Sequence, residues 1–81
     1  MNFELYQRVA LNRDLEEYQL KKGDVATLID FVPHPSNGEQ GCVLEVFNAT
    51  GESIAVISVP ISDIKQLRNH EILSVRSLAE I

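Results

Sequence analysis

The chain has 81 residues, 44% of them apolar and 23% charged, which suits one domain with one modest core and excludes a disordered polyelectrolyte. Seven Lys and Arg against twelve Asp and Glu leave a formal net charge of −5, so a phosphate backbone or an anionic membrane would be repelled rather than held. Cys42 is the sole cysteine and admits no internal disulfide, and no run approaches the ~18 apolar residues of a membrane helix. Residues 1–15 lack the basic start and continuous apolar run of a signal peptide. The expectation is a small, acidic, cytoplasmic protein of a single domain over residues 1–81.

In chain order, residues 5–11 (LYQRVAL) alternate and read as a first strand. Residues 12–19 (NRDLEEYQ) are polar, with Asp14, Glu16 and Glu17 clustered, and read as a long loop. The central stretch is 20–32 (LKKGDVATLIDFV). Lys22-Gly23-Asp24 makes a turn, with Asp24 capping it, and the β-branched run 25–32 leaves it as a strand.

Residues 33–38 (PHPSNG) form a loop, since two prolines forbid both helix and ladder and Asn-Gly favours a turn. Residues 41–47 and 52–59 read as two strands joined by the four-residue connection 48–51 (NATG), a common hairpin length. After Pro60, residues 61–65 suit one 3₁₀ or helical turn, with Asp63 capping it. Residues 71–76 (EILSVR) read as a short last strand, and 77–81 as a tail. The expected architecture is all-β: a small five-stranded SH3-like barrel with one short helical turn before the last strand.

The segment LKKGDVATL resembles the opening of the second strand in SH3 domains. Peptide-binding members of that family carry an aromatic-rich first motif, a tryptophan pair and a late proline–tyrosine pair that together hold polyproline helices. This chain has no Trp, and Pro60 is followed by Ile61-Ser62-Asp63, so that activity does not carry over. Residues 38–46 (GEQGCVLEV) are similar to the closing segment of the KOW motif, whose basic flanks touch RNA. Glu39 and Gln40 stand in their place here, which disfavours an RNA- or ribosome-associated module.

A resemblance over nearly the whole chain is to a family of small bacterial proteins, common in cyanobacteria, catalogued as a domain of unknown function. It is carried by Leu5-Tyr6, Val9-Ala10-Leu11, Leu20, Gly23-Asp24-Val25, Thr27, Gly51, Ile54-Ala55, Pro60, Asp63 and Val75-Arg76. The resemblance implies a partner of a larger protein, in the manner of an accessory, antitoxin or immunity protein.

No enzyme chemistry emerges from these residues. Cys42 lies in an alternating strand and reads as core rather than nucleophile, and His34 and His70 read as solvated loop residues with no metal-ligand spacing to Cys42. Gly38 and Gly41 are not followed by the Lys-Ser/Thr of a phosphate-binding loop. No cofactor or metal is expected.

The expected contact residues for a protein partner, a basic one by charge complementarity, are Asp14, Glu16, Glu17 and Tyr18 on the first loop with His34 and Glu39 on the second. Segments 25–32 and 54–59 are apolar on both faces. Either bent strands bury parts of both, or a homodimer, a partner or the tail 77–81 covers the outer face.

Overall fold

The computed structural model describes residues 3–33 and 38–78. It is all-β. Strands β1 (Arg8–Leu11), β2 (Val25–Val32), β3 (Gly41–Phe47), β4 (Ser53–Pro60) and β5 (Ile64–Gln66) form one antiparallel sheet in the order β4-β3-β2-β1-β5. Single 3₁₀ turns occupy Glu16–Tyr18 and Ile61–Asp63. Among the described residues no helix is long and apolar enough to cross a membrane.

The core is one face of this sheet. Val9 pairs with Ala26 and Leu11 with Ile64, while the ladders Leu28–Leu44–Ile57 and Cys42–Val59 continue the same face into β4. Leu28, Leu44, Val9 and Cys42 are wholly buried. Each such leucine stabilises the fold by roughly 1.5–3 kcal/mol relative to exposure.

A bulge explains why β2 is apolar on both faces. The register slips between Leu28 and Asp30, so that Ile29 is the extra residue and the parity of the strand inverts. Before the bulge Ala26 and Leu28 face the core; after it Phe31, paired with Cys42, packs against the core, and Asp30 is exposed. A second slip at Val46/Phe47 makes Ile54 the extra residue of β4.

The first strand is shorter than the alternation predicts. Tyr6 sits at φ 70°, in the left-handed region, so the regular ladder begins only at Arg8. The polar loop 12–19 also hides part of the core. Leu15 and Leu20 pair across an isolated bridge and are both buried. Two leucines inside an acidic segment give no periodic signal, because the loop is too short to repeat.

The largest correction concerns the last strand. The predicted strand 71–76 has no ladder; β5 is Ile64–Gln66, immediately after a 3₁₀ turn that ends at Asp63 rather than running to residue 65. The physical reason is reach. Pro60 ends β4, three residues turn the chain, and Ile64 then falls opposite Leu11, where it is buried. Asp63 makes no side-chain cap; it is buried and ion-paired to Arg13, with Nε 3.0 Å from Oδ2.

The 48–51 connection forms as its residues dictate. The Asn48 side-chain oxygen accepts from the N–H groups of Thr50 (3.1 Å) and Glu52 (2.9 Å), and Gly51 supplies φ 88°.

Candidate functional site

The first loop is built as a rigid display. Leu15 and Leu20 exchange backbone hydrogen bonds, N–H to C=O, at 2.9 and 3.1 Å, and both side chains are inserted in the core. Between them Glu16–Tyr18 completes one 3₁₀ turn, closed by Gln19 at φ 62°. Glu16, Glu17 and Tyr18 therefore stand on the surface from a fixed base, Tyr18 at 42% exposure. Asp14 is exposed but engaged within the loop, its Oδ1 accepting from the Lys22 N–H at 2.8 Å.

The other predicted contact residues are placed differently. His34 lies outside the described residues. Glu39 accepts from the Ser62 N–H at 3.0 Å, holding the second 3₁₀ turn against the long loop. On the other side of that turn, Asn12 donates from its N–H to the Asp63 carbonyl at 2.7 Å, and Arg13 pairs with the Asp63 carboxylate. The two loops thus meet across Ile61–Asp63, with Glu39 fixing the junction. The Asp63 hydrogen bond and charge raise the Arg13 guanidinium pKa above its ordinary value.

Residues 67–78 form a second feature that the sequence did not announce. They run as a strap along the outer face of the sheet, where Val25, Phe47 and Ile54 face Leu73 and Leu78 across an open groove of ≈ 990 Å³. Asp24 is its anchor. Its carboxylate caps the turn by accepting from the Lys21 N–H at 2.8 Å, as the turn motif predicts, and also takes both the Nε (2.9 Å) and Nη2 groups of Arg76. Arg76 further donates to the Gln19 carbonyl at 3.3 Å.

Burial pushes the Asp24 carboxyl up, but Arg76 and the Lys21 N–H together outweigh it and hold its pKa below the ordinary value. At the near end of the strap, Lys65 Nζ lies 3.3 Å from Glu71 Oε2, and the Arg68 N–H donates to Glu71 Oε1 at 2.7 Å. The backbone N–H of Arg68, then Lys65, hold the Glu71 carboxyl below its ordinary pKa. Nothing local in the sequence links Arg76 to Asp24, because the contact spans 52 positions.

Cys42 is wholly buried, and burial, followed by the Asp63 charge, pushes its thiol up to about 11. It is a protonated core residue at neutral pH. His70 is exposed in the turn between Arg68 and Glu71. Among the described residues no three His, Cys, Asp or Glu side chains cluster as a metal site would require.

A compact antiparallel sheet with a fixed acidic turn and a strapped outer face defines a small all-β module. The chain belongs to the family described as domain of unknown function (DUF4926), which matches residues 5–66. The match ends with β5, so the strap lies beyond it. No curated protein and no solved structure matches the chain.

Proposed function

We propose that this chain is a small bacterial, cytoplasmic SH3-like barrel that acts without catalysis, as an accessory, antitoxin- or immunity-like partner docking a basic surface of a larger protein on its acidic turn. The barrel reading draws support from the strand order β4-β3-β2-β1-β5 and from the bulge that bends β2. The docking reading rests on one observation: Glu16, Glu17 and Tyr18 are displayed outward from a turn whose base is locked by buried Leu15 and Leu20. A pre-ordered contact surface avoids much of the ordering cost of binding, and its charge speeds encounter with a basic partner. The acidic surface also opposes the RNA-associated alternative, since the Glu39 carboxylate occupies the place of a basic flank.

The test is affinity capture from the host's lysate, comparing the native chain with a Glu16→Lys/Glu17→Lys double variant. A stoichiometric basic protein that is retained by the native chain, released by salt and lost with the double variant is the expected result. Identical captures from both proteins would remove the acidic turn from the reading, and recovery of ribosomal proteins with RNA would replace it.

A further inference from the structure

We propose that the free edge of β4 pairs antiparallel with β4 of a second copy of this chain, giving a two-fold dimer with one sheet running through both copies. This sheet edge is separate from the acidic turn, and its pairing does not depend on the function proposed above.

The sheet ends at β4, which hydrogen-bonds only to β3 among the described residues. Edge strands expose a row of N–H and C=O groups, and monomeric proteins protect them with charges, prolines, bulges or a covering segment. Here Ser53–Pro60 (SIAVISVP) carries no charged residue. Among the described residues its only devices are the bulge at Ile54 and Pro60, which bound a run without either between them. Residues 72–78 reach Ile54 at the start of β4 but make no backbone hydrogen bond to the sheet, so they leave the N–H and C=O row of β4 unpaired.

Side chains along this edge favour a copy of itself. On the outer face Val56 is 58% exposed beside Glu45, and Ser58 is exposed beside Val43. Two chains of net charge −5 repel each other at most approaches. A neutral, β-branched strand is the place where self-pairing meets no facing charge, and an antiparallel pairing is self-complementary about a two-fold axis.

Apolar side chains flank the same face: beside Val56, which is exposed on β4, the strap carries Ile72 and Val75, each 90% exposed. The pairing of β4 with β4 is the core of the interface, and the straps flank it.

The experiment is size-exclusion chromatography with light scattering across micromolar concentrations on the full chain, on Val56→Lys and on Ser58→Lys. The full chain is expected to have the mass of two copies and each lysine variant the mass of one. Amide exchange of the full chain, compared at high and low concentration, reads the same edge without a substitution, and protection confined to 53–59 should rise with concentration. A monomeric full chain overturns the proposal. So does a dimer that survives the lysine substitutions, or concentration-dependent protection that falls on the strap and spares β4.

Discussion

Segments 53–60 (SIAVISVP) and 71–78 (EILSVRSL) both draw heavily on Ile, Val and Ser. The first is a strand paired along its length to β3, with Ile57 and Val59 buried. The second makes no ladder, leaves Ile72 and Val75 almost fully exposed, and is held by side-chain contacts at Glu71 and Arg76. The difference lies in neighbours rather than intrinsic preference. β-propensity mostly measures how well a side chain packs on a pleated, half-buried surface, and only the first segment is delivered to such a surface by a hairpin. The turn at Asn48 brings β4 back onto β3, whereas the 3₁₀ turn after Pro60 has already supplied β1 with its partner, Ile64–Gln66, before residue 71 is reached.

Truncating one apolar side chain in each segment should expose this contrast most strongly. Ile57→Ala opens a cavity in the closed core and is expected to cost about 2–5 kcal/mol, whereas Val75→Ala on the strap should stay within about 0.5 kcal/mol. Paired urea titrations check both. Equal losses would mean that the strap is part of the cooperative core.

A smaller effect separates the β3–β4 side from the strap by pH. The Cys42 thiol, raised to about 11, must stay protonated in the fold while the unfolded thiol ionises near its ordinary pKa of about 8.5. Stability contributed by the neutral thiol is therefore complete below that ordinary value and declines as pH rises toward 11, by on the order of 3 kcal/mol. A Cys42→Ala variant should show a flatter alkaline profile. Thiol alkylation at pH 8 should proceed only at the rate of unfolding.

The strap responds at the opposite end of the scale and more weakly. Asp24 is held below its ordinary pKa, so its contribution is complete above the usual carboxylate range and is lost as pH falls through the lowered value. Arg76→Ala should cost less than about 1 kcal/mol, as exposed ion pairs do, yet speed proteolysis within 67–78. The same cleavage should appear in the native chain under acid conditions that leave the sheet's circular dichroism intact. A protease pattern unchanged by Arg76→Ala would show that the strap is held by its apolar contacts instead.

The legible part of the candidate site was its composition. Glu16, Glu17 and Tyr18 are surface residues because nothing in a polar octapeptide can bury them, and Asp24 caps its turn because a carboxylate after Lys-Gly has an N–H within reach. That Asp14 and Glu39 serve internal hydrogen bonds, and that Leu15 and Leu20 lock the turn, depends on which segments meet in space.

By itself the sequence determined the all-β class, the bounds of β2 and β3, the Asn48–Gly51 turn and the burial of Cys42. Each follows from local patterning: alternation, β-branching, prolines, and glycine at positive φ. Only the tertiary structure decided where β5 lies, which residues bulge, why Asp63 is buried against Arg13, and that Arg76 returns to Asp24. Those are contests among distant segments for one limited set of strand edges and buried positions. Propensity carries no information about which competitor the chain's turns will deliver first.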